Sequence, residues 1–458
     1  FASLVLSSES RALRSVFFGT SAMKKGATFK AKTPAKWDLV GIRVPSDDAG
    51  PGVAWRVAQA CVEADIGVRL VGDSMELLSK ACFAPLKAAL ETKVQTGKMT
   101  ASEKSAQLAN ILLSRTTGEL GPSCHSSWHA AFKKCQLIFD PSSLDAAAQQ
   151  NFYSIISPHV DPEAVFAFGQ GPGSPSLMAN PRVVGLNFAC PDAASGKMVE
   201  IVRQRSTEES VLSAVWSFTL ETQKRLPLLA DASSSLLLPR VLAAFFRAAM
   251  SEVLNNGLSF AELDKAVRNL GFSTGPFQLA DLYGIAAMAC AVKEEGKRVG
   301  SSEAGSGEVL DALLAAAAFG VASGAGFYVY PNGQASGKAK GVNRAALKLI
   351  RDHTKSERAK TKGASGPKQA ASRVMWAVVV SAVCCWEDGV VASAEILDTA
   401  LVVSLGWPPF RGGGPLAYVD ELGREPSAKE MTSLGLALPK AMTRSDLASF
   451  RRPGSTSL

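Results

Sequence analysis

The residues best suited to acid–base or metal chemistry in this chain are its four histidines, two of which stand near a cysteine. Cys124, His125 and His129 form this cluster, and a His-x3-His spacing places two imidazoles on one helical face, where they can bind zinc. The surrounding Ser- and Pro-containing stretch supplies no clear fourth ligand. We therefore interpret the cluster as an ordinary exposed pair of histidines and predict no metal site.

Two glycine-rich stretches raise the question of phosphate binding. Residues 169–176 (GQGPGSPS) lack the lysine and the helix start of a phosphate loop, so we interpret them as a turn. Residues 44–55 (VPSDDAGPGVAW) follow a β-rich run, as a dinucleotide-binding loop does. Gly50 and Gly52 are candidates for its first two glycines, but Trp55 then stands where a third glycine lets the helix pack closely.

The same loop carries groups that oppose a dinucleotide. The carboxylates of Asp47 and Asp48 would repel a pyrophosphate, and Pro51 has no amide hydrogen to donate to one. Asp73 ends the next β-rich run, where an acid can bind a ribose hydroxyl group. Gly50, Gly52 and Asp73 are therefore the candidate cofactor-binding residues. The loop that contains the two glycines is poorly suited to phosphate.

Upstream of residue 233, the hydrophobic pattern predicts strands that alternate with helices. Strand-like runs stand at 37–44, 66–73, 135–140, 164–169, 182–189 and 198–204. Helical stretches lie between several of them, at 53–64, 142–156 and 208–224. This alternation predicts a mostly parallel, doubly wound sheet of the Rossmann type.

Downstream, a pattern of ten residues, Gly-Pro-x4-Asp-x2-Gly, occurs twice, at 275–284 (GPFQLADLYG) and 414–423 (GPLAYVDELG). An apolar helical stretch precedes each copy, at 238–254 and 374–390. The spacing of 139 residues (414 − 275 = 139) is too wide for a solenoid repeat. We predict a duplicated helical domain with a Gly-Pro turn and an acidic residue at a helix start in each copy.

Composition limits the class of protein further. The 458 residues are 47% hydrophobic and can bury several cores. No apolar run approaches the roughly 20 residues of a membrane-spanning helix, so we predict no transmembrane segment. The eight cysteines show neither zinc-site nor CxxC spacing, which indicates small buried hydrophobes in a reducing compartment.

The net charge of +8 is concentrated in residues 338–373, which hold eleven Lys or Arg against Asp352 and Glu357 (11 − 2 = 9). The rest of the chain is then nearly neutral (8 − 9 = −1), which argues against a general nucleic-acid binder. With its Gly, Ser and Pro residues, the stretch predicts a solvated linker. Docking of an acidic partner or an RNA backbone is the alternative.

The first 36 residues are rich in Ser, Ala, Lys and Arg and contain one acid, Glu9. This composition suits an organelle presequence, but we predict a linker helix with an apolar face over residues 3–18, made of Leu4, Leu6, Leu13 and Phe17. The predicted organisation is a linker helix at 1–36, a Rossmann-like domain at 37–232, helical copies at 233–335 and 373–458, and a basic flexible linker at 336–372.

This order of segments resembles the dehydrogenase half of the multifunctional fatty-acid β-oxidation enzymes, the trifunctional-protein α-subunit family, and more broadly the L-3-hydroxyacyl-CoA dehydrogenases. Besides the two Gly-Pro patterns, residues 1–25 resemble the connector that follows the family's hydratase domain. Residues 326–333 (GFYVYPNG) resemble the strand that closes the first helical domain, and residues 405–423 resemble the second-repeat signature. The resemblance implies hydride transfer between NAD and a 3-hydroxyacyl-CoA.

The residues at the family's functional positions differ from the family pattern. The general base is a His in a Gly-apolar-His-Phe strand, where this chain has Asn187, and an amide cannot accept a proton near neutral pH. Glu200 matches the acid that orients that His, with one residue inserted. Gly171 stands at the serine that contacts the substrate carbonyl, and Pro239 stands where Asn or Thr precedes Arg240.

The resemblance and these changes together favour a catalytically inactive dehydrogenase-like protein that binds no cofactor. We expect it in the mitochondrial matrix as a structural or interaction subunit of a multi-subunit complex, with a hydratase- or thiolase-like protein as a candidate partner. A second hypothesis is a divergent but active NAD-dependent L-3-hydroxyacyl-CoA dehydrogenase. A third is a protein that keeps an acyl-CoA cleft and binds ligand without turnover.

Overall fold

A computed structural model of the chain describes residues 7–25, 36–44, 52–116, 126–141, 146–169, 180–188, 197–232, 236–300, 305–330, 339–357, 366–391, 393–443 and 449–450. The chain divides into two compact units. The sheet unit comprises Gly26–Pro191 and Val199–Ser233, and the helical unit comprises Phe1–Lys25, Asp192–Met198 and Ser234–Leu458.

The sheet unit is built on one sheet of eight strands in the order β3-β2-β1-β4-β5-β6-β7-β8. The strands are β1 (Leu39–Arg43), β2 (Gly67–Gly72), β3 (Ile111–Arg115), β4 (Leu137–Asp140), β5 (Val165–Gly169), β6 (Val183–Phe188), β7 (Met198–Arg203) and β8 (Leu226–Asp231). Strands β1 to β6 pair in parallel, and β7 runs antiparallel to β6. The predicted doubly wound, mostly parallel sheet is confirmed. Its strand order reverses between β1 and β4, where such folds form a ligand crevice.

Helices are numbered along the chain, and the first, α1 (Ser8–Lys25), belongs to the helical unit. The sheet unit contains α2 (Gly52–Glu63), α3 (Met75–Leu77), α4 (Ala84–Gln95), α5 (Ala101–Ala109), α6 (Ser126–Phe132), α7 (Ala146–Ile156) and α8 (Glu209–Ser217). Two π-helical turns, Leu78–Phe83 and Phe218–Thr222, and a 3₁₀ turn at Ser157–His159 complete it. The central strands are near-continuous apolar runs because helices cover both faces of a parallel sheet.

The sequence pattern missed the two outermost strands. β3 is an edge strand with no fully buried residue, and β8 lies at the other edge. β3 has a weaker hydrophobic pattern than the central strands because fewer neighbours cover it, whereas β8 (LPLLAD) is mostly buried but contains a proline, which argues against a strand.

The helical unit continues with α9 (Leu237–Asn256), α10 (Phe260–Asn269), α11 (Pro276–Tyr283), α12 (Ile285–Val299), α13 (Ser306–Ala315), α14 (Arg344–Glu357), α15 (Pro367–Glu387), α16 (Ala394–Ser404), α17 (Pro415–Leu422), α18 (Arg424–Ser433) and α19 (Lys440–Thr443). A 3₁₀ turn at Val321–Ser323 and a small hairpin of β9 (Tyr328–Val329) and β10 (Gly341–Val342) lie between α13 and α14. The central helices of the two copies, α9 and α15, pack against each other.

The two Gly-Pro patterns start equivalent helices, α11 and α17, and a buried carboxylate caps each start. Asp264 accepts from the backbone N–H of Phe277 and Gln278, both at 3.0 Å. Asp398 accepts from the N–H of Leu416 at 2.8 Å and of Ala417 at 3.0 Å. A carboxylate satisfies the orphan amides of a helix start and interacts favourably with its dipole. The glycine before each proline is needed because a Cβ at Gly275 or Gly414 would collide with that carboxylate.

The acid within each pattern has a different role from the predicted one, since it lies in the last turns of its helix and not at a helix start. Asp281 accepts from the N–H of Phe327 at 2.8 Å and of Tyr328 at 2.9 Å. Asp420 accepts from Phe450 N–H at 3.1 Å and from Ser449 Oγ at 2.7 Å. Each copy therefore uses this acid to hold a later chain segment against the helix.

The described part of the predicted flexible linker at 336–372 is regular structure, so that interpretation is wrong there. It contains β10, the 14-residue helix α14, and the start of α15 at Pro367. Ala346 and Ile350 are buried, while Arg344, Lys348 and Arg351 are exposed on the other side of α14. The composition is basic because this amphipathic helix presents its charges to solvent.

Two further expectations can be compared with the structure. Of the six described cysteines, Cys61, Cys82, Cys135 and Cys385 are buried and two are half-buried, as predicted. Helix α15 has the length and mean hydropathy of a membrane-spanning helix, but 67% of its most apolar window is buried inside the fold.

Helix α1 starts later and ends later than the predicted apolar helix over residues 3–18. Ala12, Gly19 and Met23 are buried, and a Cβ at Gly19 would collide with Thr399 of α16. Leu4 and Leu6 lie outside the described residues. Leu13 and Phe17 are 54% and 67% exposed, so this apolar face is uncovered in the chain as described.

Candidate functional site

Asn187 and Glu200, the candidates for the base position and its orienting acid, lie side by side in the sheet unit. They are directly opposed in the antiparallel pair of β6 and β7, and their exposed fractions are 5% and 0%. Asn187 Nδ2 donates to Glu200 Oε2 over 2.7 Å. The inserted residue before Glu200 therefore does not separate the two positions in space.

Position 187 supplies this pair with a hydrogen-bond donor and no base. A neutral imidazole at position 187 could donate to Glu200 through one ring nitrogen and accept a proton on the other. The amide of Asn187 reproduces the first interaction, while its oxygen is too weakly basic for the second. The arrangement can hold the two strands together, and the side chain at position 187 supplies no group basic enough to take a proton from a hydroxyl group.

An ion pair lies at the point where the strand order reverses. Arg43 Nη1 of β1 bonds to Asp140 Oδ2 of β4 at 2.7 Å, with Asp140 fully buried. The Arg43 guanidinium also lies 5.2 Å from the centre of the Phe152 ring. This pair occupies the carboxyl ends of the two strands that border the crevice.

The sequence pattern did not predict this ion pair. Its sequence signal is an arginine inside the otherwise apolar run LVGIRV, together with an aspartate that ends CQLIFD. A charged residue within a buried strand needs a partner, since an isolated buried charge is costly. The sequence does not reveal that the partner stands 97 residues away.

Some of the candidate cofactor residues lie among the described residues and some lie outside them. Asp73 directly follows β2 and is exposed at the carboxyl edge of the sheet, which suits a ribose-binding acid. Gly52 is the first residue of α2, and the Trp55 side chain packs in the core between α2 and the sheet. Gly50 and the rest of residues 45–51 lie outside the described residues. Among the described residues, Asp73 and the start of α2 are therefore the features that could contact a dinucleotide.

Pro239 and Arg240 lie in the first turn of α9 and are buried in the helical unit. Arg240 Nη2 lies 2.6 Å from Asp388 Oδ2, at the end of α15, and its Nε lies 3.9 Å from Glu295 Oε2. This arginine therefore links the central helices of the two copies. Position 239 offers no side-chain hydrogen bond, because proline has no polar side-chain group.

The remaining candidates do not form a site within the described chain. Gly171, Cys124 and His125 lie outside the described residues. His129 stacks on His159, with ring centres 3.5 Å apart. Among the described residues, the histidine next to His129 is therefore His159. No group of three or more His, Cys, Asp or Glu among the described residues could hold a metal ion.

Two family models match this chain. The model described as 3-hydroxyacyl-CoA dehydrogenase, NAD binding domain, matches residues 52–232. The model described as 3-hydroxyacyl-CoA dehydrogenase, C-terminal domain, matches residues 237–330. The first match begins at the start of α2, so β1 and the turn that would contain the phosphate loop precede it.

The curated relatives include α subunits of fatty acid oxidation complexes. The one from Vibrio cholerae strain O395 is 27% identical over 432 residues, and the one from Shewanella baltica strain OS185 is 29% identical over 434. In both comparisons the alignment covers 92% of this chain and 56% of the relative. The chain thus spans little more than half the length of these relatives.

Solved structures with the same fold include two dehydrogenases. The 3-hydroxybutyryl-CoA dehydrogenase of Escherichia coli K12 has a TM-score of 0.62 at 19% identity, over 87% of this chain and 94% of the other. The dehydrogenase part of multifunctional enzyme 1 from C. elegans has a TM-score of 0.51 at 18% identity, over 85% and 86%. The fold, the two family models and the relatives agree, and the chain belongs to the 3-hydroxyacyl-CoA dehydrogenase family.

Proposed function

We propose that this chain is a catalytically inactive 3-hydroxyacyl-CoA dehydrogenase-like protein that serves as a structural or interaction subunit of a mitochondrial assembly for fatty-acid oxidation. The observation that carries the proposal is Asn187, hydrogen-bonded to buried Glu200 at the position of the family's base. Oxidation of a 3-hydroxyacyl group moves a hydride from C3 to NAD and the hydroxyl proton to a base. Asn187 cannot take that proton.

The packing residues of the fold support a structural role. The carboxylates that shape both helical copies, Asp264, Asp281, Asp398 and Asp420, are all engaged in hydrogen bonds to backbone amides. At the positions that the resemblance assigns to the base and the serine, this chain has Asn187 and Gly171, whereas the residues that specify the fold match the family pattern.

The second candidate is an active, divergent NAD-dependent dehydrogenase in β-oxidation. It is favoured by the match to the NAD-binding-domain model and by exposed Asp73 at the end of β2. In that case, NAD would be bound with Asp73 on a ribose hydroxyl group. A base other than residue 187 would be required.

Binding and turnover measurements on the purified chain distinguish the two candidates. We expect neither quenching of NADH fluorescence nor reduction of acetoacetyl-CoA. NADH binding that weakens in Asp73→Ala, together with acetoacetyl-CoA reduction, would establish the second candidate and overturn the first. Acyl-CoA binding without reduction, detected by a thermal shift, would retain inactivity and add a ligand-binding role.

The proposed assembly has two contact surfaces on the helical unit. The first is the uncovered face of α1 with Leu13 and Phe17, for which a hydratase- or thiolase-like protein is the proposed partner. The second is the basic side of α14 with Arg344, Lys348 and Arg351, suited to an acidic protein or RNA backbone. Cross-linking in isolated mitochondria should give partner peptides at these helices. Absence of the chain from the matrix fraction would contradict this location.

A further inference from the structure

The basic side of α14 carries three cations in a row. Arg344, Lys348 and Arg351 follow one another at spacings of four and three residues, so they share one side of the helix, and all three are exposed. Ala346 and Ile350, on the other side of α14, are buried in the helical unit. The row is therefore presented to solvent by a helix that is anchored in the fold.

The acids of the described chain do not pair with this row. Among the described residues, no carboxylate lies within ion-pair distance of the three side chains. Asp352 follows the last of them in the sequence. Glu308 of α13, which packs against α14, lies 3.9 Å from Nε2 of His353 instead. The three cations are thus accessible to an anion from outside the chain.

The neighbouring stretches of sequence add positive charge. Residues 331–338 and 358–365 lie outside the described residues, and together they contain four Lys or Arg and no Asp or Glu. Glu357, the last residue of α14, is the one acid that the sequence adds between Asp352 and Pro367. The segment around the row therefore attracts a polyanion and has too few carboxylates of its own to replace one.

The exposed side of α14 lacks the apolar groups found at the centre of a protein–protein interface. Its exposed side chains between 344 and 353 are the three cations, Asp352 and Ala345, and none of the large exposed hydrophobic residues of the described chain lies on this helix. Protein–protein interfaces have an apolar core that is depleted in charge, whereas interfaces with nucleic acids are polar and strongly positive. The composition of this side therefore favours a nucleic acid over an acidic protein.

The spacing of the row suits a chain of phosphates. With a rise of about 1.5 Å per residue, Arg344 and Lys348 are about 6 Å apart along the helix axis, and Lys348 and Arg351 are about 4.5 Å apart. Successive phosphates of an extended single strand have a comparable separation, and both Arg and Lys bind phosphate oxygens. The row can therefore contact consecutive phosphates without contacts to the bases.

We propose that the basic side of α14 binds the phosphodiester backbone of single-stranded RNA, with Arg344, Lys348 and Arg351 on successive phosphates. This role rests on the proposed function, in which α14 is a contact surface of the subunit. RNA binding by the purified chain does not require that the chain bind NAD or reduce an acyl-CoA. The failure of one proposal is therefore distinguishable from the failure of the other.

Fluorescence anisotropy of a labelled oligouridine, titrated with the purified chain at low salt, tests the proposal. The logarithm of the binding constant should fall with the logarithm of the salt concentration with a slope of about −2, from three contacts to a single strand. Arg344→Gln, Lys348→Gln and Arg351→Gln should each weaken binding several-fold and make the slope shallower by about 0.7. Glutamine is a good helix former and these positions are exposed, so α14 should stay folded.

Lys265→Gln is the matched control, because Lys265 is an exposed lysine of α10 and its loss changes the net charge by the same amount. It should leave the affinity and the salt slope unchanged. Absence of oligouridine binding at low salt, or equal weakening in Lys265→Gln and the three α14 variants, would overturn the proposal.

Polyglutamate as a competitor distinguishes RNA from an acidic protein. It should displace labelled oligouridine far less than unlabelled oligouridine does at the same concentration of negative charge. Equal displacement would mean that the basic side of α14 binds any acidic polymer, and the assignment to RNA would be wrong. Reduction of acetoacetyl-CoA by the same preparation would overturn the proposed inactivity and leave RNA binding standing.

Discussion

Asn187 donates its side-chain N–H to Glu200 across the β6–β7 pair, so the position of the family's base retains a hydrogen bond to the acid without retaining a base. Both residues are buried, with exposed fractions of 5% for Asn187 and 0% for Glu200. An amide at this position cannot take a proton from a substrate, but it can stabilise the paired strands. The relationship predicts a contribution to stability.

Asn187→Ala should lower the free energy of unfolding by about 1–3 kcal/mol, because the buried carboxylate of Glu200 loses a donor. A double-mutant cycle with Glu200→Ala, measured by urea unfolding, isolates the interaction. A coupling energy indistinguishable from zero would show that the pair does not stabilise the sheet.

Asn187→His tests whether a base at position 187 is enough to give catalysis. Imidazole restores a donor to Glu200 and adds a basic nitrogen, yet Pro239 still offers no polar side chain. We therefore expect acetoacetyl-CoA reduction to stay at the buffer rate in this variant. Measurable NADH consumption by Asn187→His alone would mean that the rest of the site is intact.

The Arg43–Asp140 ion pair should contribute far more to stability than an exposed pair in the same unit. Removing one partner of a buried pair costs about 3–5 kcal/mol, because a buried charge loses its compensation. Arg43→Met should show a loss of this order by urea unfolding. Arg203, which bonds to Asp231 at 2.8 Å with both side chains well exposed, is the matched control.

Arg203→Met should lose less than about 1 kcal/mol, since solvent screens an exposed pair. Equal losses in the two variants would contradict the assignment of Asp140 as a buried charge that Arg43 compensates. A larger loss in Arg203→Met would contradict it equally.

The two Gly-Pro patterns predict the helical duplication because turn residues act locally. Gly284 and Gly423 end their helices at φ values of 98° and 89°, a backbone region that favours glycine. The capping carboxylates were not predictable in this way. Asp264 and Asp398 stand 11 and 16 residues before their glycines (275 − 264 = 11; 414 − 398 = 16), so no shared spacing identifies them.

In the candidate site, too, some features follow from neighbouring residues and others from contacts between distant segments. The four-residue pattern around Asn187 is enough to match it to the position that the resemblance assigns to the base. The Arg43–Asp140 pair depends on which distant segments meet. Parallel strands are joined by long crossovers, so their neighbours cannot be read from adjacent residues.

The glycines before the two prolines should be equally intolerant of a methyl group. Gly275→Ala and Gly414→Ala place a Cβ against Asp264 and Asp398, and the overpacking should cost about 1–3 kcal/mol or more in each copy. Gly366, which precedes Pro367 at the start of α15, has open space around its Cβ position and is the control. Gly366→Ala should change the unfolding free energy by less than about 0.5 kcal/mol. A tolerated Gly275→Ala would show that Asp264 does not approach the turn this closely.

The acids of the first helical copy predict that its stability falls with rising pH. Burial raises the pKa of Asp264 to about 6 and that of Asp281 to about 7, although backbone amides and the hydroxyls of Tyr328 and Tyr330 donate to them. Well below pH 3.8, the ordinary pKa of an Asp side chain, both acids are protonated in the folded and unfolded states.

As pH rises above 4, the unfolded carboxylates ionise first while the folded ones keep their protons. The folded state then binds more protons, so the free energy of unfolding decreases until the pH passes about 7. Urea unfolding between pH 4 and 8 checks this trend, and Asp281→Asn should reduce its slope because residue 281 no longer titrates. If the unchanged chain and Asp281→Asn have parallel pH profiles, Asp281 is ionised in the folded protein throughout, and its hydrogen bonds from Phe327, Tyr328 and Tyr330 outweigh the effect of burial.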